Sequence, residues 1–268
     1  MAFQISDRFE IRNLGPEHSD WATAILCHTN MFYGPLFTAL HKDQEQTRKC
    51  LGLYAAGQYL VDHQINSTYS FGVFDKEYKF KRPESAATGG KCYWSEEGDP
   101  ETSTAESLLE QMDFPLVSIA LSYDSANPLD MGRMVELVKV VPEYAEGFHY
   151  LIVGDTRDPD SWKATGPLQV LFRNSTSTRK DYEGMGLMKV MAHWLMRWAA
   201  EKGFRGIQIE AFNDAVTKVW TNPPSPFRAD AVSTVYTGEV VVKEEDGTER
   251  RPFYPATQKL TRCYVTLK

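Results

Sequence analysis

Short apolar runs and longer amphipathic stretches alternate along this chain. Residues 8–14 (RFEIRNL), 69–75 (YSFGVFD), 114–124 (FPLVSIALSYD), 167–178 (PLQVLFRNSTST), 205–212 (RGIQIEAF) and 259–268 (KLTRCYVTLK) are brief and rich in β-branched and aromatic residues, which predicts strands. Between them the apolar positions fall at helical spacing. Residues 21–32 form one such stretch, opened by Pro16 and acidic or capping residues. Residues 44–65 carry Leu51, Tyr54, Ala55, Leu60 and Ile65 at that spacing, and 128–141 form a third stretch. Residues 148–155 (FHYLIVGD) fit a strand or a helix end equally well. A long helix over 185–202 places Leu187, Met191, Trp194, Leu195 and Trp198 on one stripe, and Gly203 stops it. A short helix over 213–220 runs into the turn-forming TNPPSPF, and Asp246-Gly247 predicts a hairpin in the tail. Residues 77–113 are rich in Gly, Pro, Ser and acid and read as an insertion or surface excursion. Strands and helices mixed in this way predict an α/β or α+β fold.

Composition narrows the classes. The chain has 268 residues, 42% of them hydrophobic and 24% charged, enough to bury a substantial core. Its formal net charge is −7 and it has no Lys/Arg cluster beyond short pairs, so nucleic acid is not the expected partner. No apolar run reaches the ~18 residues of a membrane helix. The opening residues show neither the basic nor the apolar region of a secretory leader, so the expected location is cytoplasmic. Cys27, Cys50, Cys92 and Cys263 are scattered without metal-ligand spacing and are expected to be reduced core thiols. No metal site is expected. The Asn66 and Asn174 glycosylation triplets read as chance.

Candidate chemistry begins at DYEGMGLMK, residues 181–189. Gly184 and Gly186 stand at the mouth of the long helix, where each glycine costs roughly 1 kcal/mol against alanine. The first amides of a helix lack partners within it and lie at the positive end of its dipole. Two glycines there let an anion such as a phosphate approach closely, with Arg179 and Lys180 adding positive charge. A plain tight turn explains the spacing equally well. The Walker loop fails, because Leu187-Met188 stands where Lys-Ser/Thr is needed. The dinucleotide fingerprint fails, because Lys189 replaces its third glycine.

The order of strand, polar loop, glycine turn, long helix, strand (EKGFRGIQIEAF) and Asn-led short helix (NDAVTKVW) resembles the GCN5-related N-acetyltransferase (GNAT) superfamily, whose signature is Gln/Arg-x-x-Gly-x-Gly/Ala. The opening FEIRNLGPEHSDWATAI is similar to that family's first strand and helix. The resemblance implies one domain over 1–268, with residues 77–165 elaborated over the substrate entrance. It implies a mixed, mostly antiparallel sheet, splayed between two strands and flanked by helices on both faces. It implies an acetyl-CoA-dependent N-acetyltransferase that carries acetyl to a small-molecule or peptide-like amine by direct attack in a ternary complex. The coenzyme A pyrophosphate would lie on the amides of Tyr182, Glu183, Gly184, Met185, Gly186 and Leu187. The pantetheine arm would pair along Ser175, Thr176, Ser177 and Thr178, followed by Arg179, Lys180 and Asp181, with Asn213 beside it. The chain departs from the signature in two places. Glu183 or, in the other register, Asp181 occupies the Gln/Arg position, and Met188 occupies the second small position.

Acetyl transfer needs a base for the ammonium and a means of stabilising the thiolate. The resemblance places Trp220 beside the cofactor, at the position of the family's usual tyrosine acid; its indole only donates, and the plainer reading makes it a core aromatic. Tyr182 or Tyr123 could replace it. Residues 207–212 place Gln208, Glu210 and Phe212 on one face of a strand. Burial would raise the Glu210 pKa toward a useful base, unless Arg173 or Arg205 holds it as an ion-paired structural residue. His18, His28 and His193 read as structural. A non-catalytic acyl-CoA-binding or interaction protein of the same fold stands as the alternative, and an unrelated mixed domain with a structural glycine turn as a third reading.

Overall fold

Seven strands join in one sheet: β1 (Phe9–Asn13), β2 (Phe71–Asp75), β3 (Leu116–Asp124), β4 (Val170–Thr178), β5 (Gly206–Ala211), β6 (Arg228–Tyr236) and β7 (Lys259–Thr266). Their spatial order is β1-β2-β3-β4-β5-β7-β6. The structure is a computed structural model that describes residues 5–268. Residues 1–4, part of the opening read above for a leader, lie outside the described residues. Every neighbouring pair is antiparallel except β4 and β5. A parallel pair needs a crossover, and the long helix between these two strands supplies it.

Helices cover both faces. α1 (Ser19–Tyr33), α2 (Asp43–Ala56), α3 (Gln58–Asn66), α4 (Val135–Val140) and α5 (Pro142–Val153) precede β4. α6 (Leu187–Lys202) and α7 (Asp214–Trp220) flank β5. Leu116, Ile119 and Leu121 of β3 join Ile25, Leu53 and Val61 of the first group in one core. Leu171, Ile207, Ile209 and Val265 pack against Leu195, Met196 and Trp220 in a second core on the opposite face. α6 ends at Gly203, whose φ of +103° is left-handed, as its sequence position implies. Among the described residues no helix is long and apolar enough to cross a membrane.

The parallel pair fixes the site. β4 and β5 stay in register only from Val170↔Gly206 to Arg173↔Ile209. β4 then continues along β3 as far as Thr178 opposite Ser118. The β3–β4 register shifts between Leu121↔Ser175 and Ser122↔Arg173, which leaves Asn174 without an opposite residue. Such a bulge bends its strand. β4 therefore follows β3 and turns away from β5, opening a gap beyond Arg173.

Several elements differ from the sequence reading. The 44–65 helix is two helices, interrupted at Gly57, whose amide closes α2 on the Leu53 carbonyl. Residues 148–155, open between strand and helix end in the sequence, carry the end of α5. Residues 77–113 are less of an excursion than their composition implies. Lys91–Cys92 pairs with Met112–Asp113, and Trp94, Leu108 and Met112 are buried in the same core as α1. β6 begins at Arg228, directly after the proline-rich turn of 221–227, where no strand was expected. The Asp246-Gly247 hairpin exists but pairs only two residues on each side, Val242–Lys243 with Glu249–Arg250.

Candidate active site

A cavity of about 580 Å³ fills the gap between β4 and β5 and continues beneath α1, α4 and α5. Asn174, Ser175, Thr176 and Ser177 of β4 line one side, Glu210 and Asn213 the other, and Glu183 marks its end at the glycine turn. Because β5 has departed, the β4 edge that faced it has, among the described residues, no strand beside it beyond Arg173.

The glycine turn is open. Gly184 and Gly186 have φ of +81° and +74°, a conformation that side chains resist. A Cβ at either position would meet nothing within 4 Å. Tight packing therefore does not explain these glycines. Their conformation and the empty approach do. Among the described residues no acceptor meets the amides of Gly184, Met185, Gly186, Leu187 or Met188, and Gly186 caps α6 without a side-chain bond. These orphan donors fit a phosphate-bearing group.

The charges upstream are spent elsewhere. Arg179 is buried, and its guanidinium donates to the Phe114 carbonyl at 2.9 Å and to Asp181 at 3.1 and 2.8 Å. Lys180 pairs with Glu183 at 2.7 Å. Neither presents an uncompensated charge at the turn. Thr178 shares a hydrogen bond with Ser118 at 2.8 Å and is not part of the cavity wall. Leu187 is buried beside Val117 and Met191.

Tyr182 does not line the cavity. Its hydroxyl donates to Asp75 at 2.7 Å, and Arg8 grips the same carboxylate at 2.9 and 2.6 Å. Burial pushes the Asp75 pKa up, but the bonds from Arg8, Tyr182 and the Glu77 amide outweigh it and hold it below the carboxylate norm. Burial, and then Asp75, raise the Tyr182 pKa to about 12. Trp220 is fully buried in the α6–α7 core, as its plainer reading expects, and is absent from the cavity wall. Asn213 lines the cavity while its Oδ1 caps α7 by accepting from the Ala215 amide at 2.8 Å.

Glu210 faces the cavity, and burial raises its pKa. Its ion partner is neither Arg173 nor Arg205. Arg205 donates to the carbonyls of Ser161, Trp162 and Lys163, and Arg173 to neutral acceptors. The partner is Arg262 of β7, whose Nε lies 3.5 Å from Glu210 and 3.3 Å from Asp155. Asp155 in turn accepts from Arg157 at 2.8 and 2.6 Å. Arg157 donates to Gln208 at 3.1 Å, and Gln208 donates to Glu210 at 3.4 Å. Five side chains thus close a polar ring, with the Trp162 ring 4.7 and 4.9 Å from the two guanidinium carbons.

Aromatic rings form the rest of the wall. Phe37 lies 4.7 Å from Tyr144, Tyr144 5.3 Å from Phe212, and Phe148 5.2 Å from Phe212. α5 comes this close to β5 because Gly147 has no Cβ, which would stand 2.7 Å from the Phe212 ring. Tyr123 also lines the cavity. Burial, and then the charge of Glu210, push its pKa up. Asp155, Arg157, Arg262 and the α5 aromatics were not identified from sequence. They come from distant segments with no local motif, and only the expectation that residues 77–165 lie over the substrate entrance pointed toward that wall.

No family model matches the chain, and no curated protein matches its sequence. Solved structures match its fold over nearly the whole length. Arylalkylamine N-acetyltransferase 2 from Aedes aegypti is 13% identical, with a TM-score of 0.61 over 98% of this chain and 100% of that one. The C-terminal condensation domain of Ebony, in complex with beta-alanyl-dopamine, is 18% identical, with a TM-score of 0.58 over 96% and 98%. An agmatine N-acetyltransferase is 9% identical, with a TM-score of 0.55 over 97% and 99%. With its forked seven-stranded sheet, its glycine turn opening the helix after β4 and these counterparts, the chain has the fold of the GCN5-related N-acetyltransferase superfamily.

Proposed function

We propose that this protein is an N-acetyltransferase that moves acetyl from acetyl-CoA to a small amine with an aromatic body. The observation that carries the reading is one continuous cavity that runs from Glu183, at the start of the glycine turn, along the unpaired β4 edge to the carboxylate of Glu210. The amides from Gly184 to Met188 would hold the pyrophosphate, and the edge at Ser175, Thr176 and Ser177 would align the pantetheine arm. The donor supplies an acetyl group already activated as a thioester. Glu210 would take the proton that the attacking nitrogen sheds, and burial, which raises its pKa, makes it a better base than an exposed carboxylate. Phe37, Tyr144, Phe148 and Phe212 would hold the acceptor's apolar part. The neighbouring folds support amines as the acceptor class, because their names specify arylalkylamine and agmatine acetylation and one was solved with beta-alanyl-dopamine. Tyr182 is not assigned a chemical role, since its hydroxyl is committed to Asp75.

A second reading, a non-catalytic acyl-CoA binder, is favoured by Asp181 and Glu183 at the turn and by Trp220 at the usual tyrosine position. Release of free thiol from acetyl-CoA, measured against phenylethylamine, tryptamine, agmatine and spermidine, separates the two. Turnover that favours the aromatic monoamines supports the first reading. Thermal stabilisation by acetyl-CoA with no thiol released for any amine supports the second.

A further inference from the structure

Arg173 stands at the vertex of the fork, in the last register pair that β4 makes with β5. It is 2% exposed, yet among the described residues no carboxylate neutralises it. Its Nη1 donates to the Leu121 carbonyl at 2.6 Å and to the Ser175 carbonyl, and its Nη2 donates to the Thr176 hydroxyl oxygen. Among the described residues its Nε has no acceptor. Burial pulls its pKa down to about 9, which leaves it charged at neutral pH. A buried cation without a counter-anion is costly, and a chain that retains one keeps positive potential where it sits.

Thr176 conveys that potential to the cavity. Its hydroxyl oxygen is engaged by the guanidinium, and among the described residues its own proton has no acceptor. A hydroxyl has one donor and two acceptor positions, and a cation on an acceptor position strengthens the donor. Thr176 lines the cavity on the open side of the fork, where the donor's arm would run. Tyr123 also lines the cavity but stands opposite Phe172, in the stretch where β4 is still paired with β5, and not on the open edge.

We infer that Thr176, polarised by Arg173, stabilises the departing thiolate and so takes the place of the tyrosine that this chain lacks at Trp220. The inference rests on the acetyltransferase reading. The ammonium first loses a proton to solvent; the neutral nitrogen then bonds to the acetyl carbonyl carbon, and the proton it sheds on bonding goes to Glu210. The carbon–sulfur bond breaks with its electron pair on sulfur. Thr176 donates a hydrogen bond to that sulfur and keeps its proton, so one negative charge passes from Glu210 to the thiolate. Thr176 touches the reacting group, and Arg173 is a positioning residue behind it.

The test uses the full chain and an amine that the wild type acetylates, with acetyl-CoA and with acetyl esters of thiols of graded acidity. Thr176→Val is expected to lower kcat with acetyl-CoA by about 10²-fold, the scale of losing one charge-stabilising donor. KM for acetyl-CoA should change less than about 2-fold, and the defect should shrink as the leaving thiol becomes more acidic. Thr176→Ser should restore most of the rate. If the valine variant does not fold, Thr176→Ala serves in its place. A defect equal for all leaving groups, a change in KM alone, or the same leaving-group pattern in Tyr123→Phe with Thr176→Val unaffected overturns the inference. A wild type that releases no thiol with any amine overturns the acetyltransferase reading itself, and this inference with it.

Discussion

The Nε of Arg262 lies 3.3 Å from Asp155 and 3.5 Å from Glu210, so one cation serves two buried carboxylates. Glu210 therefore receives only part of the stabilisation that Arg262 can give, while Asp155 adds repulsion. Burial, the largest effect, raises its pKa further.

Asp155→Asn removes the repulsion and releases Arg262 toward Glu210. Both effects lower the Glu210 pKa. The rate of a base-dependent reaction falls as pH drops through the pKa of the base. The acidic limb of the kcat/KM profile should therefore move to lower pH in this variant. Arg157 loses its carboxylate partner as well, and its released charge acts in the same direction, while Cys263 and Tyr123, which also face Glu210, keep their places.

Glu210→Gln should reduce kcat by about 10²–10⁴-fold, the usual worth of a positioned base. It should also change stability with a definite sign. A carboxyl whose folded pKa is raised contributes stability that is complete below its unfolded value and is lost as pH rises through its folded value. The thermal midpoint of Glu210→Gln, relative to wild type, should therefore improve from pH 4 toward pH 8. Midpoints recorded across that range check the sign.

Gly186→Ala places a Cβ on a left-handed residue, at a cost of roughly 1–2 kcal/mol, and puts a methyl group on the phosphate approach. Gly247→Ala imposes the same strain at φ +84°, in the tail hairpin far along the chain. Both variants should melt earlier than wild type. Only the first should lose affinity for coenzyme A, as measured by calorimetric titration.

Tyr182→Phe deletes one of the bonds that hold Asp75 while Arg8 retains it. A hydrogen bond to a buried carboxylate is worth about 1.5–3 kcal/mol. Denaturant unfolding should register a loss of that size, with kcat within about 2-fold of wild type on the reading that Tyr182 does no chemistry.

The sequence made legible those features that local chemistry determines. Gly203 ends α6, the apolar stripe from Leu187 to Trp198 turns inward, and Gly184 and Gly186 leave the approach to the mouth of α6 open. The face of β5 that carries Gln208 and Glu210 followed from strand alternation alone. Features that depend on pairing between distant segments could not be read in this way. Arg262 lies 52 residues beyond Glu210 and meets it only because β7 pairs with β5. Arg179 looked like free positive charge beside the turn, but its burial under Phe114 and its pairing with Asp181 are tertiary facts. The 77–113 segment has loop composition, yet Trp94 and Met112 anchor it in the core, which a residue count of Gly, Pro and Ser does not register. Prolines before Phe227 marked a turn correctly and hid the strand that begins one residue later.

The central claim is that the amides of the glycine turn and the edge of β4 together hold an acyl-CoA. Thermal unfolding of the purified chain over a titration of acetyl-CoA tests it most directly, since a ligand at about 100 times its Kd adds roughly 2.7 kcal/mol to the folded state. The account predicts a midpoint that climbs with acetyl-CoA concentration and a clearly smaller climb for Gly186→Ala. A wild-type midpoint that does not move at millimolar acetyl-CoA would contradict it.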